Sequence, residues 1–571
     1  MSSTETISPS PRESLRRLFG FEAFRPHQED IVQAALDGRD TVGVLPTGAG
    51  KSLTFQLPAL MRDGLTLVVS PLIALMEDQV HQLGTKGITA AACLTSRTSQ
   101  GEWQQIREAI LAGDIRLLYV APERLPSPRF HAELANIPIR TLVVDEAHCV
   151  SEWGHSFRPD YRRIADARTS LGNPPVLALT ATATPGVRDD IVRNLALRNA
   201  ERIVGDFDRP NLHWQVFPAN GRKKLGAIDS LLRADRGEGS SIVYAPSRAA
   251  TETVAEYLSS RGHRAVFYHA GLSGDERERR QTAFQSGEVD VICATIAFGM
   301  GVHKDDVSHV IHYGMPRSLE AYYQEAGRAG RDGKPAKCTL LYSRSDLRLL
   351  HQRIEDAYPD RDVLRRVQVA AVRNELRSLS AEMSDATDQF ALGLSALLET
   401  GYLTGNAMDG YVPGEGGDRG ARAVRWLDRH RRAELNRLYA VRDYAETEGC
   451  RTRILVGYFG QELGECDHCD GCCGGSSPVE SVQPISRKAT KAVTMQPLST
   501  EAQARFERLR AWRVELARQW EVPAFHIMND KTMRIVADSV PTSREAFLAI
   551  PGLGEKKWEA FGRDLTAFFA E

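Results

Sequence analysis

The turn PTGAGKS (46–52) limits the fold of this chain more than any other segment. It follows the short apolar run Thr41–Leu45, which is typical of a buried strand, and it precedes a helical pattern. Small residues in such a turn let backbone N–H groups approach phosphates, and the following helix offers its positive end. Lys51 can reach the β- and γ-phosphates, and Ser52 can ligate Mg²⁺. The segment predicts a nucleotide-binding unit, although Leu45 replaces the first glycine of the strict pattern.

A pair of carboxylates lies downstream, where the apolar run Thr141–Val144 ends in Asp145 and Glu146. Ligands of open α/β sheets bind at the C-terminal ends of strands. Asp145 is therefore predicted to hold Mg²⁺, and Glu146 to orient or deprotonate the attacking water. A solvated turn is the alternative for an isolated Asp-Glu pair, but the nucleotide-binding turn upstream favours the functional interpretation.

An aromatic-rich loop follows this pair and contains Trp153, His155, Phe157 and Arg158. Aromatic rings stack on bases of any sequence, and each stack contributes about 1–3 kcal/mol. Ordinary packing is the alternative for Trp153 and Phe157. Because acids that could hold a metal nucleotide lie beside aromatics that could stack on bases, the sequence predicts coupling between nucleotide chemistry and nucleic-acid contact.

Apolar runs alternate with helical patterns around these motifs, which predicts an α/β fold with doubly wound parallel sheets. A helical stretch is predicted over 16–38, and strands over 65–70, 115–120, 141–145 and 175–184. A second set of strands, at 241–245, 264–269, 289–295 and 308–313, follows the junction DFDRPN (206–211). This set ends in Arg328 and Arg331, which could stabilise the charge of a transferring phosphoryl group held by the first domain. Two surface arginines are the alternative.

Over residues 15–342 these motifs resemble the RecQ family of superfamily 2 DNA helicases. The motifs that carry the resemblance are FRPHQ (24–28), LPTGAGKS (45–52), SPLIALMEDQ (70–79), DEAHCVSEWGHSFRPDY (145–161), ALTATAT (178–184), ATIAFGMG (294–301) and QEAGRAGRDG (324–333). The resemblance implies two RecA-like parallel-sheet domains, at 14–207 and 208–345, with ATP and Mg²⁺ as cofactors. It also implies translocation on single-stranded DNA and 3′ to 5′ unwinding of tailed or forked duplexes in DNA repair and recombination.

The resemblance extends to individual residues of the nucleotide and DNA sites. Gln28 would contact the adenine, with Phe21 and Arg25 close by. The phosphates would lie on the turn, which contains Thr47, Gly48, Ala49, Gly50, Lys51 and Ser52. DNA would be contacted by Ser70, Thr295 and the aromatic loop, with Trp153, Phe157 and Arg158 signalling to Glu146. His148 would bridge the ATP site to Thr180 or Thr182, and neutral buried packing is its alternative.

Residues 343–449 depart from the family's commonest layout, in which a short helical platform leads directly to a zinc cluster, and residues 346–422 are predicted to form a winged-helix-like insertion. Helical stretches are predicted over 363–379 and 384–399. The segments LLETGYLTG (397–405) and YVPG (411–414) resemble the recognition helix and wing of a winged-helix module. A structural insertion without DNA contact is the alternative. The next predicted helix carries six arginines between Arg425 and Arg442, which form either a solvated face or a face that abuts DNA.

Five of the nine cysteines lie between Cys450 and Cys473. The spacing of Cys450, Cys466, Cys469 and Cys472 indicates a structural Zn²⁺ site with four thiolate ligands, and Cys473 is an alternative to Cys472. The odd number of cysteines disfavours a set of disulfides. The segment CRTRILVGYFGQ (450–461) resembles the family's zinc-platform helix, so residues 423–475 are predicted to form a helical zinc-binding domain.

The remaining segments complete the predicted organisation. Residues 476–498 form a weakly patterned linker, and residues 499–571 resemble the helical HRDC domain of the family. The turn at 550–557 could bind a DNA phosphate, or it could simply cap a helix. Residues 1–13 have no apolar segment, so we expect a disordered tail and not a signal peptide.

Charge and hydropathy limit the partners and the location. The formal net charge is −2, so DNA binding must depend on local basic patches. No run of 18 apolar residues indicates a membrane span. We expect a bacterial cytoplasmic protein associated with the nucleoid, with a single-strand DNA-binding protein as a candidate partner. The alternative function is a DNA-stimulated ATPase that remodels or anneals DNA without processive unwinding, whereas the aromatic loop disfavours an RNA-directed motor.

Overall fold

A computed structural model of the chain describes residues 9–95, 97–125, 127–151, 161, 163–221, 223–235, 239–299, 304–406, 410–414, 420–474, 499–519, 527–528, 530–550, 553–554 and 557–569. The chain divides into two compact units, Met1–Val482 and Gln483–Glu571. In the described part of the chain, no helix is both long and apolar enough to span a bilayer.

The first domain is a parallel sheet between two layers of helices. Its strands in the described residues are β1 (Thr41–Val44), β2 (Leu65–Val69), β3 (Ala91–Leu94), β4 (Leu117–Val120), β5 (Ile139–Val144), β6 (Val176–Thr180) and β7 (Glu201–Val204). They pair in the order β3-β4-β2-β5-β6-β1-β7. Its helices are α1 (Pro11–Phe19), α2 (Gln28–Leu36), α3 (Leu53–Met61), α4 (Ile73–Thr85), α5 (Gln100–Ala112), α6 (Pro128–Leu134), α7 (Ile164–Ser170) and α8 (Pro185–Asn194).

The order of the central strands determines where the functional motifs meet. Strands β1, β2, β4 and β6 are buried along their whole length, as is usual for parallel strands covered on both faces. Strand β6 pairs with both β1 and β5. The segments that follow these three strands therefore lie at one edge of the sheet, where α/β proteins bind their ligands.

The N-terminal helical stretch begins earlier than the sequence predicted, and it is divided into two short helices. The stretch predicted over 16–38 is two helices, because α1 ends at Gly20 in a left-handed conformation and α2 begins only at Gln28. Glycine adopts that conformation without a steric penalty. Helix α1 begins at Pro11 with Ser10 as its N-cap, so the prediction of a disordered tail over 1–13 was wrong for its last residues.

The second domain is another parallel sheet, formed by residues that follow the junction at 206–211. Its strands in the described residues are β8 (Leu212–Pro218), β9 (Ser240–Tyr244), β10 (Ala265–Tyr268), β11 (Val291–Ala294), β12 (Val307–His312) and β13 (Ala336–Tyr342). They pair in the order β10-β11-β9-β12-β13-β8. Its helices are α9 (Lys223–Ala234), α10 (Arg248–Ser260), α11 (Gly274–Gln285) and α12 (Leu319–Ala326).

A mainly helical region follows the second sheet. Its elements are α13 (Arg344–Ala357), α14 (Arg361–Val372), α15 (Leu376–Glu382), α16 (Thr387–Glu399), β14 (Leu403–Asn406), β15 (Gly410–Pro413), α17 (Ala421–Glu446), α18 (Arg451–Tyr458) and α19 (Asp470–Cys473). Strands β14 and β15 form an antiparallel hairpin. Helices α14 to α16 share a hydrophobic core with the first turns of α17. Helix α16 thus runs into the hairpin at the segments that resemble a recognition helix and wing, and the winged-helix module stays a prediction.

The second unit contains the helices α20 (Thr500–Gln519), α21 (Asp530–Ser539), α22 (Arg544–Leu548) and α23 (Arg563–Phe568). Its core is formed by apolar side chains of these helices, including Leu509, Val536 and Phe547. The helical character matches the prediction for 499–571.

Candidate functional site

The predicted phosphate-binding turn joins β1 to α3, and its glycines are required by the backbone. Gly48 and Gly50 have φ angles of 87° and 76°, in the left-handed region. A Cβ atom at Gly50 would lie 2.5 Å from Nε2 of Gln28, so a larger residue would displace the Gln28 amide. Helix α3 begins at Leu53, immediately after Lys51 and Ser52. The turn thus directs backbone and side-chain donors into a cavity of about 390 Å³.

The residues predicted to bind adenine hold the turn in place. Gln28 is buried, and its Nε2 donates hydrogen bonds to the carbonyl oxygens of Ala49 at 2.8 Å and Gly50 at 3.1 Å. Arg25 donates to the carbonyl oxygen of Gly48. The exposed ring of Phe21 lines the same cavity. An adenine that binds Gln28 must therefore replace hydrogen bonds to the phosphate-binding turn.

Asp145 and Glu146 line this cavity together with Lys51 and Ser52. The backbone of Asp145 is held by the Tyr161 hydroxyl, which donates to its carbonyl oxygen at 3.0 Å. Burial and the charge of Glu146 raise the pKa of Asp145 to about 6, although Lys51 opposes the shift. A divalent cation beside the two carboxylates would favour their ionised forms. Carboxylate and hydroxyl oxygens are ligands that Mg²⁺ prefers, so the residues present fit this ion.

His148 connects the carboxylates to the segment after β6. Its Nδ1 lies 2.9 Å from Oγ1 of Thr180 and 3.3 Å from a carboxylate oxygen of Glu146. Burial opposes protonation, but Cys149 and Glu146 outweigh it and raise the pKa of His148 to about 10. Thr182 donates its backbone N–H to Oγ1 of Thr180 at 3.3 Å. His148 thus lies between Glu146 and Thr180, and its role as a bridge stays a prediction.

The second domain contributes Arg328 and Arg331 to the same cavity. They approach the turn closely, since a Cβ atom at Gly48 would lie 3.5 Å from Cγ of Arg331. Burial and the charge of Arg328 lower the pKa of Arg331 to about 10. A buried and a half-buried cation side by side are suited to bind an anion such as a terminal phosphate. The surface-arginine alternative is therefore wrong.

The predicted DNA-contacting residues are only partly described. Trp153, His155, Phe157 and Arg158 lie outside the described residues. Ser70 follows β2 and is buried, with 1% of its surface exposed. Thr295 follows β11 and is half-buried. Of these two, only Thr295 is accessible to a strand of DNA.

The four predicted zinc ligands converge. The Sγ atoms of Cys450, Cys466, Cys469 and Cys472 all lie within 4.8 Å of one another. Burial opposes ionisation of Cys469, but hydrogen bonds from the backbone of Thr452 and neighbouring residues lower its pKa to about 7. Four converging sulfur atoms, one of them readily ionised, fit tetrahedral Zn²⁺.

Cys473 is excluded from this group by its orientation. Its thiol donates to the carbonyl oxygen of Asp467 at 2.7 Å.

The zinc cluster is attached to the second domain through β8. Trp214 donates its backbone N–H to the His468 carbonyl at 3.0 Å, and Val216 donates to the Asp470 carboxylate at 2.9 Å.

Helix α17 extends over 26 residues and carries the predicted arginines. Four arginines line a pocket of about 620 Å³ together with Glu399, Thr400, Trp426 and Asp428; they are Arg422, Arg425, Arg429 and Arg432. Arg431 does not line the pocket but pairs with Glu355 at 3.1 Å and with Asp428 at 3.3 Å. The pocket is a local basic patch in a chain without net positive charge.

Sequence reasoning missed two groups of residues at the nucleotide site. Lys86 and Asp305 line the cavity but belong to no predicted motif. Arg209 and Asn211, from the junction, donate hydrogen bonds to the backbone of the turn that carries Arg328 and Arg331. The polar residues of the segment DRPN could have indicated a functional role. Their hydrogen-bond partners, however, are more than a hundred positions away in the sequence, so no local pattern identifies them.

Family comparisons agree with this arrangement of modules. Residues 25–190 match the DEAD/DEAH box helicase family, and residues 223–333 match the helicase conserved C-terminal domain. Residues 421–473 match the RecQ zinc-binding family, and residues 502–568 match the HRDC domain.

Individual proteins resemble the chain over most of its length. The ATP-dependent DNA helicase RecQ of Haemophilus influenzae is 33% identical over 99% of this chain and 96% of its own length. The probable ATP-dependent DNA helicase RecS of Bacillus subtilis is 38% identical over 81% of this chain and 91% of its own. The solved structure of the DUF1998 helicase MrfA bound to DNA has a TM-score of 0.50 and 19% identity, covering 74% of this chain and 64% of that one. This last likeness concerns the fold alone.

Proposed function

This chain belongs to the RecQ family of ATP-dependent DNA helicases, and we propose that it uses ATP hydrolysis to move along single-stranded DNA and unwind duplexes from 3′ to 5′. ATP and Mg²⁺ are the proposed cofactors, and tailed or forked duplexes in DNA repair and recombination are the proposed substrates. The proposed location is the bacterial cytoplasm, on the nucleoid. A single-strand DNA-binding protein is a proposed partner.

The observation that carries this proposal is that one cavity is lined by both parallel-sheet domains. Lys51, Asp145 and Glu146 come from the first domain, and Arg328 and Arg331 from the second. In phosphoryl transfer a metal ion bridges the phosphate oxygens, and arginine stabilises the charge of the transition state. Here Lys51 would hold the phosphates, Glu146 would orient water, and the arginines would contact the γ-phosphate only when the domains are closed. Hydrolysis and domain movement are then coupled, as a translocating motor requires.

Strand displacement from a 3′-tailed duplex, compared with a 5′-tailed duplex in the presence of ATP and Mg²⁺, tests this proposal. We expect displacement of the 3′-tailed substrate alone. Displacement of the 5′-tailed substrate alone would contradict the polarity. DNA-stimulated hydrolysis without displacement of either duplex would favour the remodelling or annealing function. A parallel assay with an RNA duplex identifies an RNA-directed motor.

Replacement of Trp153 by alanine tests the proposed coupling between DNA and hydrolysis. The loss of a base stack removes about 1–3 kcal/mol of interaction with single-stranded DNA. We expect the hydrolysis rate of Trp153→Ala in the presence of DNA to fall to the rate that the wild type shows without DNA. The measurement is steady-state phosphate release at several DNA concentrations. If DNA stimulation survives in this variant, the coupling role of the aromatic loop is wrong.

A further inference from the structure

The junction between the two sheets contacts the turn that carries the arginines of the nucleotide site. The guanidinium of Arg209 donates to the carbonyl oxygens of Gly327 at 2.9 Å, Ala329 at 3.1 Å and Gly330 at 2.8 Å. These three carbonyls flank Arg328 and precede Arg331. A single planar side chain therefore determines the path of the backbone from which both arginines project.

Asn211 strengthens the same attachment. Its Nδ2 donates to the carbonyl oxygens of Gly330 at 2.9 Å and Lys334 at 3.0 Å. Gly330 has a φ angle of 58°, and a Cβ atom there would lie 2.4 Å from Nδ2 of Asn211. The turn is thus folded closely around the junction, and a side chain at Gly330 would displace the Asn211 amide.

The junction is itself held from three sides. The ring of Phe207 stacks on Phe459 of the zinc-binding domain, with centroids 4.4 Å apart and an interplanar angle of 3°. Tyr323, on α12, donates its hydroxyl to the carbonyl oxygen of Phe207 at 2.9 Å. Arg188, in the first domain, donates to the carbonyl oxygen of Phe459 at 2.6 Å. Arg209 therefore projects from a backbone segment that packs against α12 and the zinc-binding domain, and Arg188 in turn links Phe459 to the first domain.

We infer that Arg209 is a positioning residue for ATP hydrolysis, which orients Arg328 and Arg331 toward the phosphate-binding turn. The inference rests on the proposed function of the nucleotide site. Burial lowers the pKa of Arg209, but the guanidinium remains a cation that donates to the carbonyl oxygens of Gly327, Ala329 and Gly330. Its value is the planar fork of donors, which reaches several acceptors at once and which lysine cannot reproduce.

Steady-state ATP hydrolysis by the variants Arg209→Ala and Arg209→Lys in the full chain tests the inference. A misplacement of about 1 Å at an active site can lower a rate by about 100-fold. We expect kcat of Arg209→Ala to fall by about 100-fold, and that of Arg209→Lys by about 10-fold, as the fork is lost in whole or in part. KM for ATP and the affinity for a fluorescent ATP analogue should change by less than about twofold, since no phosphate contact of the first domain is removed.

A double variant separates positioning from a general structural role. If Arg209 acts through Arg328, then adding Arg209→Ala to Arg328→Ala should cause little further loss of kcat, because residues that act as a unit are not additive. Arg107→Ala is the matched control. Arg107 lies on α5 of the first domain, and its guanidinium also donates to a backbone carbonyl, that of Glu133 on α6, at 3.1 Å. Its kcat should equal that of the wild type.

Several outcomes would overturn the inference. A kcat of Arg209→Ala within about twofold of the wild type would do so. The inference would also fail if the losses of kcat in Arg209→Ala and Arg328→Ala were fully additive in the double variant. It would fail as well if Arg209→Ala lost ATP affinity in parallel with kcat. If Arg209→Ala does not fold, wild-type kcat in Arg209→Lys would likewise contradict the inference. If the wild type itself does not hydrolyse ATP, the result contradicts the proposed function. If the wild type hydrolyses ATP but does not unwind DNA, the hydrolysis assay still tests the role of Arg209.

Discussion

Replacing Lys51 by alanine is expected to reduce ATP hydrolysis by about 1,000-fold or more, the upper end of the effect of removing one preorganised donor from a transition state. Lys51 lines the nucleotide cavity beside Ser52 and Asp145. Its charge opposes the rise in the pKa of Asp145 that burial and Glu146 cause. Lys86 also lines the cavity, but its ammonium lies 5.7 Å from the ring centroid of Phe21, beside the residues predicted to bind adenine. It therefore cannot replace Lys51 at the phosphates.

The control for this prediction is Lys223→Ala, which removes an exposed lysine at the start of α9. That variant should hydrolyse ATP at the wild-type rate. Binding of single-stranded DNA without nucleotide, measured by fluorescence anisotropy, should be equal in Lys51→Ala and in the wild type. Turnover by Lys51→Ala within about tenfold of the wild type would refute the assignment of the ATP site.

Most central strands were predictable because both of their faces are buried. Runs such as LTLVV in β2 and LLYV in β4 contain almost only apolar residues, which is typical of parallel strands under helices. The edge strands β3, β7 and β8 were not predicted, and neither was the central strand β13, whereas the edge strand β10 was. Strand β7 (ERIV) contains two charged residues, and β8 (LHWQVFP) mixes polar and apolar residues, since one side of each of these strands does not pair within its sheet. Tertiary pairing, and not local pattern, decides their conformation.

The points at which two predicted segments end could not be inferred from the sequence either. The helix predicted over 363–379 is divided between α14 and α15 at Asn374, which has a φ angle of 61°. Asparagine tolerates this left-handed conformation but does not require it. The segment predicted as a strand over 175–184 ends at Thr180, because Thr184 becomes the N-cap of α8. In both cases the residue types allow two conformations, and packing selects one of them.

The site was predictable where its chemistry depends on neighbours in sequence, and not where it depends on neighbours in space. The phosphate-binding turn and the Asp145-Glu146 pair are local motifs, and the structure brings them together at one sheet edge. The hydrogen bonds of Arg209 join residues 118 to 121 positions apart. Cys472 and Cys473 are adjacent, so spacing alone could not choose between them, whereas the direction of each thiol does.

Loss of one zinc ligand is expected to destabilise the whole connection between the zinc cluster and the second domain. Cys469 is buried, and its backbone pairs with Trp214 on the edge strand β8. Replacing it by serine removes a soft ligand from a four-thiolate set, and structural Zn²⁺ contributes directly to folding. We expect Cys469→Ser to lose its zinc and about 4 kcal/mol of stability, which is typical of the loss of a metal. At about 2–4 °C per kcal/mol, Tm would fall by about 10 °C.

Zinc stoichiometry by atomic absorption and Tm by circular dichroism measure this effect, and the chain supplies a matched control in Cys473. The Cys473 thiol donates to a backbone carbonyl outside the ligand group, so Cys473→Ser should retain one zinc ion per chain and the wild-type Tm. Cys472→Ser should instead behave like Cys469→Ser. Retention of zinc by Cys472→Ser together with its loss in Cys473→Ser would reverse the ligand assignment. Because the cluster holds β8 next to the junction that carries Arg209, loss of zinc should also lower kcat for ATP while leaving Lys51 and its turn in place.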